Sequence, residues 1–274
     1  MKRAVVIGIS TLAVIAAAGQ ANAADMYVPA PTGGYKDAYV PVETWTGFYA
    51  GINGGYGWSA NDSKLTATAN GFGTCPGNEE ICTPPSVTGS GAKSFGAAGG
   101  FGGGQIGYNL QRDHLVFGVE ADIQGAAIDG SSTLSLTNVN ASATGKNNLD
   151  WFGTVRGRVG YAAGTTLLYF TGGLAYGGVH DSLTVTPAAG ASSTVSRDGT
   201  NTGYVLGGGV EHLLNPSWSV KAEYQYIDLG SDKLSATAGN PGYTASAALD
   251  AEHVYNTVRL GLNYHIGSTD EPLK

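Results

Sequence analysis

The chain has 274 residues, a formal net charge of −7 and only 13% charged residues. That balance excludes nucleic acid as a partner, because such binding demands a basic face. It also excludes a water-soluble β-barrel of this size, whose surface would need to be about 25–35% charged.

In chain order, Lys2 and Arg3 precede an apolar run from Ala4 to Ala18, and Ala21-Asn22-Ala23 follows as a small-x-small cleavage signature. Residues 1–23 read as a secretory signal, with an apolar run too short for the roughly 20-residue helix that spans a bilayer. Removing Lys2 and Arg3 from 14 basic residues leaves 12 against 21 acidic ones, a formal charge of −9. Residues 24–45, with Pro29, Pro31 and Pro41 and no stable period, read as an extended periplasmic linker.

From Gly47 the sequence alternates with period two, the pattern of strands whose side chains point to opposite faces in turn. Eight strands are predicted: 47–58, 96–111, 115–125, 149–162, 166–178, 201–212, 218–229 and 253–266. In 149–162, Leu149, Trp151, Val155, Val159 and Tyr161 share one face, and Asp150, Phe152, Thr154, Arg156 and Arg158 the other. A helix would scatter both arginines and the aromatics around its circumference.

Between the strands, long polar segments at 59–94, 126–148, 179–200 and 230–252 alternate with short connections at 112–114, 163–165 and 213–217. Outer-membrane barrels have this asymmetry of long external loops and short periplasmic turns. In lipid every backbone group must be paired, which requires the sheet to close. The predicted fold is therefore all-β: an eight-stranded antiparallel up-and-down transmembrane β-barrel over 46–266, followed by a tail at 267–274.

Energy decides which face meets lipid. An arginine on the lipid side near the midplane costs about 2–4 kcal/mol, so Arg156 and Arg158 point inward. With them go Glu120, Asp122, Glu211, Lys221, Glu223 and Arg259 as a lumen charge network, and an eight-stranded interior is narrow enough for side chains to fill. The outward aromatics Trp58, Tyr108, Trp151, Tyr161, Tyr176, Trp218, Tyr224, Tyr226 and Tyr264 sit toward strand ends, as interface girdles do.

Other motifs carry little chemistry. Cys75 and Cys82 lie in the first long segment of an exported chain and are expected to form a disulfide. Gly102 to Gly107 formally matches a dinucleotide fingerprint, but it lies in a predicted strand with no helix after it. Histidines at 114, 180, 212, 253 and 265 are scattered; His180 and His253 fall at external rims, where a haem iron is an alternative ligand. No nucleophile–base spacing indicates catalysis.

The segments Trp45-Thr46-Gly47-Phe48-Tyr49, Gly54-Gly55-Tyr56-Gly57-Trp58, Gly107-Tyr108-Asn109 and Gly118-Val119-Glu120 carry a resemblance that continues through the chain. Its further carriers are Thr154 to Tyr161, Lys221-Ala222-Glu223-Tyr224 and Val258 to Tyr264. Together they resemble the small outer-membrane proteins of alpha-proteobacteria, the surface-antigen and haemin-binding-protein family, and more distantly the outer-membrane-protein-A-type barrels. Members usually close the last strand on an aromatic residue, whereas here Ile266 stands at that place.

The expected function is that of a non-enzymatic surface barrel that contributes to envelope integrity and presents external loops. The alternative is a narrow porin or a haem-binding receptor. No cofactor and no metal site are expected. The expected partners are outer-membrane lipids, lipopolysaccharide and the barrel-insertion machinery, with the chain as a monomer in the outer membrane of a Gram-negative bacterium.

Overall fold

The computed structural model describes residues 45–72, 86–188, 190–240 and 243–266. The predicted signal, the Cys75–Cys82 disulfide and the tail after Ile266 lie outside the described residues. The strands are β1 (Gly47–Ser59), β2 (Ser63–Phe72), β3 (Ser86–Phe95), β4 (Ala98–Arg112) and β5 (Leu115–Leu136), then β6 (Ala141–Ala163), β7 (Thr166–Thr186), β8 (Ser193–Asn215), β9 (Trp218–Asn240) and β10 (Tyr243–Ile266). They form one antiparallel sheet in the order β1-β4-β5-β6-β7-β8-β9-β10-β2-β3. The sheet closes on itself because β1 also pairs with β10, from Phe48 opposite Ile266 to Ser59 opposite Tyr255.

The sheet thus has ten strands where the sequence reading expects eight. Segment 59–94, expected to be a loop, contains the hairpin β2–β3, which adds to the far half of β10 with Leu65 opposite Leu249. The loops expected at 126–148, 179–200 and 230–252 are also corrected: β5 to β10 run on through most of them as strands of 21 to 24 residues. Alternation does not stop there but changes sign. In Lys64–Ala69, Ser131–Leu136 and Lys233–Ala238, Ala and Leu side chains turn inward, together with Ser132, while the other Ser, Thr and Lys side chains turn out.

Two zones follow. In the wall zone, between the tight turns at 113–114, 164–165 and 216–217 and the middle of the long strands, the outer face is apolar. Phe48, Ile52, Phe117, Val155, Phe170, Leu174, Leu206 and Leu260 are all exposed there. Beyond it the strands continue as a crown with a polar outside and an apolar inside, built on Leu65, Leu136, Val139, Leu183, Val185, Leu234 and Leu249.

Register shifts between β5 and β6, β6 and β7, and β9 and β10 mark the change of zone. The β6–β7 register shifts between Leu149 and Trp151, so Leu149, expected on the outer face with Trp151, is buried inside and Asp150 is exposed. On β9, Gly230 has φ +81 and the inward set passes from Ile227 and Leu229 to Asp232 and Leu234. An extra residue in one strand of a pair flips the facing of everything beyond it, and the left-handed backbone at that step suits glycine.

The interior is layered. Trp45, assigned to the linker by sequence, closes the turn end with Val116, Leu167 and Leu213, its backbone N–H donating to Gln111 Oε1 at 2.7 Å. Above it come a charged layer, then an apolar layer of Phe101, Ile128, Leu149, Phe152, Val179, Val205, Ile227 and Tyr255, and then the crown.

Candidate functional site

Strand pairing builds the charged layer. Glu120 of β5 stands opposite Arg156 of β6, Glu211 of β8 opposite Lys221 of β9, and Glu223 of β9 opposite Arg259 of β10. Because these strands surround a narrow lumen, the inward side chains also meet across it. Arg156 reaches Glu223 at 2.6 Å and Asp122 at 2.8 Å and makes a closer contact with Glu120. Arg259 lies 2.8 Å from Glu223 and 3.2 Å from both Glu120 and Asp122. Lys221 meets Glu120 at 2.8 Å. Arg158 pairs with Glu211 at 2.7 Å, its guanidinium 4.0 Å from the centroid of the Tyr169 ring.

The structure therefore brings together all eight residues that the sequence reading assigns to the lumen network: Glu120, Asp122, Arg156, Arg158, Glu211, Lys221, Glu223 and Arg259. None is more than 5% exposed. Their charges balance, and the exchange of ion pairs for apolar packing in such a place is near neutral in energy. Breaking one pair is not neutral, since a buried charge then stands alone. The layer spans the lumen, joining β5 and β6 to β8, β9 and β10.

Sequence reasoning missed the polar partners that complete it. Tyr49 donates to Glu120 at 2.7 Å and accepts from Arg158 at 3.0 Å, and Tyr169 donates to Glu223 at 2.6 Å. Ser219 and Asn263 each donate to Glu211 at 2.6 Å. The available signal was parity: Tyr49 and Tyr169 alternate with the outward Phe48 and with the outward Leu168 and Phe170, which puts both hydroxyls on the lumen side.

The expected girdle residues lie on the outer face in two groups. Tyr108, Tyr161, Trp218 and Tyr264 are exposed near the turn end, with Trp218 edge-on to Tyr264 at 5.1 Å. Toward the crown, Trp58 and Tyr224 are exposed, and Trp151, Tyr176 and Tyr226 are half-buried, with Trp151 edge-on to Tyr176 at 6.0 Å. From Phe48 to Trp58 the strand rises roughly 33 Å. At the usual barrel tilt this gives a height of about 25 Å, that of an outer-membrane apolar band.

His180 and His253 part company. His180 is on the outer face against Asp198, whereas His253, expected at an external rim, is wholly buried between Asp181 and Asp232. His253 shares the inward parity of Tyr255, Thr257 and Arg259 on β10, which keeps it inside the barrel and out of reach of an external planar ligand.

The chain matches the outer membrane protein beta-barrel domain family over residues 10–265. It is 39% identical over 260 residues to a 31 kDa outer-membrane immunogenic protein of Brucella melitensis, covering 92% of this chain and 97% of that one. It is 36% identical over 140 residues to a 22 kDa outer membrane protein of Rhizobium leguminosarum, covering 50% of this chain and 57% of that one. Among solved structures, outer membrane protein OprG of Pseudomonas aeruginosa aligns with a TM-score of 0.38 and 12% identity, covering 81% of this chain and 97% of that one. The relatives place the protein in the outer membrane of a Gram-negative bacterium, and the chain belongs to the outer-membrane β-barrel family.

Proposed function

We propose that the protein is a solute-tight, non-catalytic barrel in which eight strands, β1 and β4 to β10, cross the outer membrane and carry the crown outside the cell. The observation that carries this reading is the charged layer. Four cations and four carboxylates meet across the lumen with almost no exposed surface, between an apolar layer above and the Trp45 plug below. A solute path would have to break several of these pairs at once. The carboxylates are occupied by cations and hydroxyl donors instead of facing a substrate cleft, which supports a structural role. The surface role draws support from the name of the Brucella relative, an outer-membrane immunogenic protein.

Planar-bilayer recording tests the reading directly. The purified barrel is expected to give no conductance steps above background. Arg156→Ala, which opens a gap in the layer and leaves carboxylates unpaired, is the variant in which flickering steps would appear. Regular steps from the unsubstituted protein would make it a porin and end the solute-tight reading.

A further inference from the structure

The crown has a parting. The β8–β9 ladder runs from Asn215 opposite Trp218 only as far as Tyr204 opposite Asp228. Beyond that point β8 continues to Ser193 on β7, and β9 continues to Asn240 on β10. Side chains cross the gap: Arg197 reaches Asp232 at 2.7 Å, and Asn201 donates to Asp232 at 3.0 Å.

Directly behind Asp232 lie Asp181 and His253. The imidazole Nε2 is 3.0 Å from Asp181 Oδ2 and 3.4 Å from Asp232 Oδ2. One donor atom from each residue lies within 4.8 Å of the other two, and this is the one such cluster among the described residues. Asp181 and His253 are fully buried and Asp232 is 6% exposed. Asp181 Oδ1 has no hydrogen-bond partner there, although it is shut off from solvent. Leaving buried polar atoms unpaired is costly, and such atoms call for an explanation.

We propose that Asp181, Asp232 and His253 bind one first-row divalent transition cation, which enters through the β8–β9 parting. Three observations converge on this. The donors are two carboxylates and an imidazole, a mixed oxygen–nitrogen set that suits zinc or manganese, whereas calcium and magnesium favour oxygen alone. Donors sharing a cation at about 2.1 Å sit roughly 3–4 Å apart, the spacing seen between His253 and each carboxylate. The charge balance also differs from that of the lumen layer. Here two carboxylates meet a single arginine whose side chain is 53% exposed, which leaves buried negative charge that a cation would neutralise.

The test uses the full mature chain folded in detergent micelles, stripped with EDTA, with Cys75 and Cys82 replaced by serine so that no thiol competes. Zn²⁺ is titrated by calorimetry, and Mn²⁺ is followed in parallel by the loss of its free-ion electron paramagnetic resonance signal. One equivalent is expected to bind. His253→Gln and Asp181→Asn should each weaken binding at least tenfold, the loss typical even of changes behind the ligands. His180→Gln, at the exposed His180–Asp198 pair, should leave it unchanged. Retained heat-modifiable gel migration certifies that each variant is folded, and should one substitution prevent folding the other decides. A bound cation should also raise the melting temperature of the unsubstituted crown but not that of the His253→Gln variant. No stoichiometric binding, binding unaffected by His253→Gln and Asp181→Asn, or binding abolished by His180→Gln would overturn the site.

Discussion

Glu120 is the residue on which the lumen turns. It accepts from Lys221, Arg156, Arg259 and Tyr49, so its loss strands cations from three other strands. Glu120→Ala should destabilise the barrel by about 3–5 kcal/mol, the usual cost of leaving a buried charge unpaired. Replacing both Glu120 and Lys221 by apolar residues of similar size (Glu120→Leu with Lys221→Met) should recover most of that loss, because the pair itself contributes little net energy. Urea unfolding in micelles, followed by gel mobility, reads both variants. A double variant weaker than Glu120→Ala would show that the pairs stabilise outright. Around Glu120 the abundant glycine also acquires a reason. Gly107 stands opposite Tyr49, and a Cβ there would lie 2.4 Å from the ring, so only glycine lets Tyr49 lie flat and bring its hydroxyl to the carboxylate.

At the scale of elements, legibility followed the size of the outward side chains. Where Phe, Tyr, Trp, Leu and Val marked one face, as in Val155 to Tyr161 or Trp218 to Tyr226, strand, facing and inward charges could all be read from period two. In the crown the same period persists in Ala, Ser and Thr, whose hydropathies differ too little to distinguish a strand from a polar loop. The bulges at Asp150 and Gly230 were invisible for another reason: an inserted residue shifts parity without changing composition. The hairpin β2–β3 shows what the extra strands do. Leu65, Ala67 and Ala69 of β2 pack on Ala245, Ala247 and Leu249 of β10 and so cover one side of the crown's core. Ser59 and Ala97, at its two ends, are joined by a backbone hydrogen bond of 2.8 Å, so a short linker can replace residues 63–95. The truncated chain should still fold into a heat-modifiable barrel, because the β1–β10 and β1–β4 ladders remain. Its crown should become sensitive to limited proteolysis within 243–252, where the apolar side chains of β10 would be uncovered. Loss of the folded gel band, or unchanged resistance of that segment, would mean that the hairpin has a different role.

At the scale of the molecule, one closed sheet serves two solvents by exchanging inside for outside along its axis. With the membrane placed as proposed, lipid contacts the apolar face of the wall zone and the charges must find one another within; in the crown, water contacts Ser, Thr and Lys while Ala and Leu pack within. The hydrophobic effect drives the second arrangement and the cost of placing charge in hydrocarbon drives the first. This inversion fixes an orientation. The short turns can traverse a membrane during assembly more readily than the long polar crown, so the crown should be reached from outside the cell and the turns only from the periplasm. Single cysteines on the Cys75→Ser, Cys82→Ser background test it: Ser246→Cys on the outer face of the crown, and Arg112→Cys at the first tight turn. A membrane-impermeant maleimide applied to intact cells should label the first fully and the second only after the outer membrane is permeabilised. Equal labelling of both in intact cells would overturn the assignment, and labelling of Arg112→Cys alone would reverse it and place the Asp181–Asp232–His253 cluster and its parting on the periplasmic side, exposed to a different supply of cations.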